Sequence, residues 1–431
     1  MIAQVLFLLL AAASVGLFTF NVKKIIRNIR LGRPLDRSDR KAERWMVLLK
    51  VAFGQTKMVV RPVPGILHLL IYAGFIIINM EVLEIAIDGI LGTHRVFSFA
   101  GMLYSILTGT FEWLALGVLL ACVVFLIRRN VIRLKRFTGT EMTSWPRSDA
   151  NYILLTEILL MTAYLTMNAA DRSLQLTGAE HYKVAGAFPV SAWLMPLMPA
   201  NENTLVFVER ACWWFHITGI FAFLNYLPYS KHFHIIMAFP NTWYSNLEPK
   251  GEFTNMQSVT NEVKAMLDPS FVPGTAAETS RFGAKDVTDL SWKSLMDAYT
   301  CTECGRCTSE CPANITGKLL SPRKIMMDTR DRLTEAGKHL DKGTGEPDGK
   351  SLLDDYITRE EIWACTTCNA CTRACPVNID PLSIIVELRR YAVMEESQAP
   401  ASINNMFGNT ENNGAPWKYP ASDRFAWAND T

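Results

Sequence analysis

Five stretches of the chain, at about 2–20, 65–88, 101–127, 152–170 and 204–227, are apolar over the roughly 20 residues that a helix needs to cross the hydrocarbon core of a bilayer. All five lie in the first 240 of 431 residues, and the remainder reads as an ordinary soluble sequence. The formal charge of +2 averages over this division and gives no nucleic-acid footprint. The first stretch resembles a signal peptide only in position. Its charges ("KKIIRNIR") follow the apolar run instead of preceding it, so it reads as a retained span.

The loops set an expected orientation. Residues 21–63 carry twelve Lys/Arg against three acids and residues 128–151 carry six against two, whereas 89–100 and 171–203 carry one and two basic residues. Basic loops stay on the cytoplasmic side, which puts the N-terminus outside and, after five spans, the soluble half in the cytoplasm. That is the reducing side, where free thiolates persist and disulfides do not.

The soluble half contains "CTECGRCTSECP" from Cys301 and "CTTCNACTRACPV" from Cys365, and these hold eight of the ten cysteines. The spacing C-x2-C-x2-C-x3-C-P is the ligand run of a cubane iron–sulfur cluster, in which the fourth thiolate crosses to the neighbouring cube. Cys301, Cys304, Cys307 and Cys375 are therefore expected on one [4Fe–4S] cluster, and Cys365, Cys368, Cys371 and Cys311 on the second. Structural zinc would call for two separated cysteine pairs. Cys122 and Cys212 sit in apolar runs and behave as small hydrophobes, with no assigned role.

An ionisable residue inside a span is a functional candidate because it costs energy without a partner. His68 lies in "PGILHLLIYAGF" and His216 in "ERACWWFHITGIFAFLNYLPYSKHFH", which His232 and His234 close. An unbroken helix would place His216 and His234, eighteen residues apart, on one face. Two imidazoles from facing helices are what a six-coordinate b-type haem needs. The alternatives are a His68 that only bonds across helices and a "YSKHFH" cap that snorkels to headgroups. His94, His181 and His339 are expected in solvent. Glu112 and Glu157 are the deepest acids, suited to proton transfer at a quinone site or to pairing between spans.

With these residues the membrane half looks like the nitrate-reductase gamma-subunit type of cytochrome b. The segment "DLSWKSLMDAYTCTECGRCTSECPANITGKLLSPRKI" resembles the dicluster iron–sulfur subunits of heterodisulfide-reductase-like and anaerobic glycerol-3-phosphate dehydrogenase membrane-anchor proteins. The resemblance implies haem b held by His68, His216 and His234. Met58 stands where the cytochrome family has a further histidine, so one bis-histidine haem, most simply on His68 with His216, is the expected inventory. His68 pairs with His216 if span two ends near Asn79, and lies level with a residue closer to His234 if it runs to residue 88. Larger relatives continue into a cysteine-rich module with CCG motifs, and none occurs here. The partner implied is a separate CCG-type subunit, with an electron-transfer flavoprotein or a dehydrogenase upstream.

In the soluble half, "SPRKIMMDTRDRLTEAG" has a serine N-cap, a first-turn proline and a closing glycine, and "TREEIWAC" opens with a capping box. A turn-rich "KGTGEPDGK" lies between them. In "DPLSIIVELRRYAVMEE", Ile384, Ile385, Leu388 and Tyr391 fall on one helical face. The expected fold is all-α: a five-helix transmembrane bundle (1–240), a connector (241–285), a cytoplasmic α-helical ferredoxin-type domain for two [4Fe–4S] clusters (286–400), and an extended partner-docking arm (401–431). The expected function is that of an oxidoreductase subunit in a bacterial inner membrane, passing electrons between a cytoplasmic partner, two clusters, haem b and the quinone pool. The alternative is a haem-free, membrane-tethered dicluster ferredoxin.

Overall fold

A computed structural model describes residues 1–272, 281–343 and 348–429. Five helices in it are long and apolar enough to cross a membrane. They are α1 (Ile2–Ile29), α2 (Pro62–Leu91), α3 (Met102–Leu126), α4 (Trp145–Thr177) and α5 (Glu202–Tyr226). All five expected spans are present and most run past their apolar stretches, because polar turns continue the helix outside the hydrocarbon. Pro62 starts α2 where its missing N–H costs nothing, and Gly92 closes it in the left-handed region (φ 73°). Asn201 caps α5, its side chain accepting from the Thr204 amide.

The bundle packs on Phe111, Ala115, Val118, Leu160, Tyr164, Trp213 and Ile217, while leucines and isoleucines such as Leu9, Ile66, Ile76 and Leu120 face outward. An apolar exterior over helices of this length is the pattern of a lipid-facing surface.

The second half is helical as well, and no β-strand occurs among the described residues beyond isolated bridges such as Arg33 with Ser291. Its scaffold is α6 (His234–Trp243), α7 (Trp292–Thr300), α8 (Pro322–Asp341), α9 (Arg359–Ala364) and α10 (Pro381–Met394). Ser321 caps α8, Thr358 and Glu361 form the capping box of α9, and Ile384, Ile385, Leu388 and Tyr391 are buried on α10. Helix α8 does not stop at Gly337. That residue lies inside the helix and, having no Cβ, admits Asn28 of α1 against its backbone, where Arg27 donates to the Gly337 carbonyl (2.9 Å).

The two halves share one core. Ile25 and Ile29 at the end of α1 and Phe233 and Met237 around α6 join Leu295, Ile325 and Ile385 in a single buried cluster. Buried apolar contact of this kind fixes the halves more firmly than exposed ion pairs would. Helix α6 also straddles residue 240, so the expected connector begins inside a packed element. Part of that connector (273–280) and of the turn-rich insert (344–347) lies outside the described residues. The C-terminal arm, expected to be extended, opens as a helix over Ala401–Asn413, after which Trp417, Tyr419, Phe425 and Trp427 are all exposed.

Candidate cofactor sites

The two cysteine runs fold alike. In each, the residue before the second cysteine (Glu303, Thr367) and the residue after it (Gly305, Asn369) are left-handed, and a short helix follows at Arg306–Ser309 and Ala370–Ala374. Gly305 takes this conformation freely and asparagine tolerates it, which lets three side chains of a run turn toward one point.

Cys301, Cys304 and Cys307 line one cavity, and the fourth cysteine on its wall is Cys375 from the other run. Cys311 of the first run instead lies within electrostatic reach of Cys365 and Cys371, and Cys368 neighbours Cys365. The last cysteine of each run thus lies beside cysteines of the other run. Among the described residues no three His, Cys, Asp or Glu close on a single metal ion. Burial pushes the Cys301 and Cys375 thiols up to about 12 and Cys307 well above its ordinary value. Such thiols ionise only when a cation replaces their protons, which fits a cluster-bound state. The amides of Ile379 and Thr367 point at Cys375 Sγ (3.3 Å) and Cys365 Sγ (3.4 Å), contacts of the type that raise a cluster's potential.

The two groups face different surroundings. Each group has two buried cysteines, Cys301 and Cys375 in the first and Cys311 and Cys371 in the second, and Cys368 of the second is exposed. Arg306, between two cysteines of the first group, donates to the carbonyls of Lys57 (2.9 Å) and Met58 (3.1 Å) just before α2. Lys57 reaches the Cys375 carbonyl (3.3 Å), and Glu303 pairs with Lys231 and with Arg330 (2.7 Å). Sequence reasoning passed over Glu303, Arg306 and Lys231. No spacing rule marks them, and only their place inside the cysteine run and the histidine cap could have drawn attention.

The histidines are arranged differently from the simplest expectation. Helix α5 stops at Tyr226, Leu227–Tyr229 make a tight turn around Pro228, and His234 opens α6. His216 and His234 are therefore not on one helical face, since the proline lacks the N–H that would continue α5. His68 sits in the second turn of α2, which runs to Leu91, and its ring centroid is 6.4 Å from that of His234. With metal–nitrogen bonds of about 2 Å on each side, two imidazoles on one metal have centroids roughly 6 Å apart. His234 keeps its Nδ1 against the Lys231 carbonyl (3.0 Å), which frees the other ring nitrogen for a ligand bond. His68 leaves a buried Nδ1 unpartnered, as Tyr72 leaves its hydroxyl one turn away. Burial lowers His234 and holds His232, 5.6 Å from it, down to about 3. Both are neutral, as metal ligation requires.

His216 is held apart from them, its Nδ1 on the Leu160 carbonyl (3.0 Å) and its ring 5.8 Å from Tyr164. His181 is exposed as expected and His339 is half-buried. His94 is not in solvent: it is 8% exposed and bonds to Asp171 (3.1 Å). Glu112 is fully buried and accepts from the Val190 and Ser191 amides (2.8 and 3.0 Å), so it caps a loop instead of standing free. Glu157 is half-buried on α4.

Residues 300–379 match the family described as a 4Fe-4S dicluster domain. Over nearly the whole length, the chain is similar to a probable iron-sulfur-binding oxidoreductase, FadF, of Bacillus subtilis (29% identity; 99% of this chain, 60% of the relative). It is similar to the same extent to an EtfAB:quinone oxidoreductase of Syntrophomonas wolfei (27% identity; 98% of this chain, 59% of the relative). A probable membrane-anchored ferredoxin of Chromohalobacter salexigens aligns over a shorter stretch (28% identity; 34% of this chain, 24% of the relative). The chain spans about 60% of the length of the first two relatives. No solved structure matches it. The relatives define a class of iron–sulfur oxidoreductases, and this chain joins five membrane-length helices to a 4Fe-4S dicluster domain.

Proposed function

We propose that this chain is the electron-transfer subunit of a membrane quinone-linked oxidoreductase, carrying electrons between a cytoplasmic partner and the quinone pool. Cys301, Cys304, Cys307 and Cys375 would hold the cluster nearer the bundle, and Cys365, Cys368, Cys371 and Cys311 the cluster nearer solvent. His68 and His234 would hold one haem b, with His216 deeper in the bundle. Such cofactors supply one-electron relay when bound, and the protein's part is to set their spacing and surroundings.

The observation that carries this reading is the contact between the two candidate sites. The loop between Cys301 and Cys307 touches Lys57 and Met58, just before the helix that carries His68, and Lys231, three residues before His234. Lys231 serves both sides: its carbonyl orients His234, and its ammonium pairs with Glu303 beside Cys304. The exposed Cys368 gives the outer cluster an approach from solvent.

The relative named as an EtfAB:quinone oxidoreductase supports a quinone as acceptor and an electron-transfer flavoprotein as donor. The partner we propose is a separate cysteine-rich CCG-type subunit. The exposed aromatics Trp417, Phe425 and Trp427 offer it anchors. By the loop-charge argument the cluster domain faces the cytoplasm from a bacterial inner membrane, with the N-terminus outside.

The relative named as a membrane-anchored ferredoxin favours the second reading, a haem-free tethered relay. A reduced-minus-oxidised spectrum of the purified protein, with metal content, separates the two. The proposed function requires a b-type band together with about eight non-haem irons per chain. Full iron–sulfur content without haem would leave only the tethered ferredoxin.

A further inference from the structure

At the end of the bundle away from the cysteines, α1, α2, α4 and α5 line a cleft of about 130 Å³. Its apolar walls are Ile85, Met167, Trp213 and Trp214, and the exposed Ala3 lies on its rim. The polar groups around it are almost all committed to one another. Asp171 accepts from Arg95 (2.7 Å) and Gln175 (3.3 Å), Glu81 from Tyr164 (2.5 Å), and Glu84 from Tyr104 (2.8 Å). Asp88 holds the Arg95 amide (2.8 Å), and Glu209 accepts from Tyr182 (3.0 Å).

One atom is left over. His94 lines the cleft, is 92% buried, and faces Asp171 through Nε2, while its Nδ1 has no partner. With Nε2–H donating to the carboxylate, Nδ1 is a lone-pair acceptor. A buried acceptor without a donor is costly, so the site calls for one hydrogen-bond donor. A metal ion does not fit, because the carboxylates are already taken and no three ligands converge among the described residues. An anion is disfavoured by the surplus of acids. What remains is a neutral hydroxyl on an apolar body that packs beside the edge-to-face pair Trp213 and Trp214.

We infer that this cleft binds the ring of a hydroquinone, its hydroxyl donating to His94 Nδ1, with Asp171 fixing the imidazole. The inference rests on the quinone-linked function proposed above and locates its quinone. An apolar tail can leave along the outward Leu6 and Leu9 of α1. On the inner side, Trp213 is one turn of α5 from His216, and Tyr164 joins Glu81 to the His216 ring. The cleft therefore borders the histidine that the His68–His234 pair leaves unused.

The test is anaerobic binding of menadiol, a soluble naphthoquinol, to the detergent-solubilised full chain with its co-purifying subunits, using cluster EPR as the check on folding. Wild type should bind saturably. His94→Ala should weaken binding about tenfold, and His94→Asn, which keeps an acceptor near Nδ1, should stay within about threefold. Ala3→Trp, which adds bulk at the rim without touching the polar network, should weaken binding at least as much as His94→Ala. If both His94→Ala and Ala3→Trp bind menadiol like wild type, the cleft is not the site and the quinone function stands. If wild type with intact cluster signals binds no menadiol, the cleft assignment and the quinone-linked function fall together.

Discussion

At the far end of the bundle, Arg95 is buried among Asp171, Asn168, Tyr104 and Glu81, and nearly every polar atom has a partner. At the cluster end, four thiols, two of them buried, crowd one cavity, His68 Nδ1 and Tyr72 Oη stand alone, and three imidazoles cluster together. Both ends bury chemistry that a protein pays to bury. The far end spends it on a network that is closed except at His94 Nδ1 and that holds the helices in register. The cluster end leaves valences open, and open valences in a packed interior mark places where something else is meant to bind. The charged network and the proposed haem–cluster site thus lie at different ends of the bundle, and substitutions at the two ends should fail in different ways.

The largest separation should come from the histidines. His234→Ala or His68→Ala should abolish the b-type absorption while cluster iron stays at the wild-type level, and His216→Ala should retain most of it. Optical spectra of the three variants decide this, and loss confined to His216→Ala would move the haem away from the cluster end.

Next in size is the far end. Arg95→Leu strands Asp171 and Glu81 without their cation, and breaking a buried pair in this way costs about 3–5 kcal/mol. The bundle's unfolding midpoint in denaturant should drop accordingly, with cofactor spectra unchanged in the protein that remains folded. A spectral change without a stability loss would contradict the division of labour between the ends.

The crossed grouping predicts a selective effect. Cys375→Ser should disturb the EPR signal of the cluster that Cys301, Cys304 and Cys307 hold, and leave the other's intact. A perturbation confined to the second signal would mean that each run holds its own cluster.

The smallest effect concerns docking. Glu141, in the loop between α3 and α4, pairs with the buried Arg323 at the start of α8 (2.6 Å) and accepts from Ser321 (2.7 Å). Burial alone would raise this carboxyl, but Arg323 and its hydrogen bonds outweigh that and hold it below 4.5. A lowered carboxyl contributes stability above its unfolded value, and that contribution is lost as pH falls through the folded value. Acidification from about pH 5 downward should therefore loosen the cluster domain from the bundle, as hydrogen exchange in 135–142 would report. Glu141→Gln should be looser by about 2 kcal/mol at neutral pH and lack this component of the pH dependence. An unaltered pH response in Glu141→Gln would show that the pair does not dock the halves.

The sequence announced the two halves because each rests on a local rule. Bilayer-length apolar runs make the spans visible, and the ligand spacing of eight cysteines brings out the crossed grouping without any tertiary information. Caps at Ser321 and Thr358 were equally legible. What escaped depended on where elements end. The His68–His234 proximity follows from α2 running to Leu91 and from Pro228 breaking α5, and a five-turn periodicity carried across that proline cannot reveal it. His94 looked like a loop residue because its burial comes from Asp171, 77 positions away. Gly337 read as a helix stop, whereas it is a contact surface for Asn28.

The central claim is that the cluster on Cys301, Cys304, Cys307 and Cys375 sits directly against a haem on His68 and His234, bridged by Lys231 and Glu303. EPR relaxation of that reduced cluster, with the haem kept oxidised and paramagnetic, measures this proximity. The account predicts faster relaxation in wild type than in His234→Ala, and faster for this cluster than for the one on Cys365, Cys368 and Cys371. Equal relaxation of both clusters in wild type and variant would contradict it.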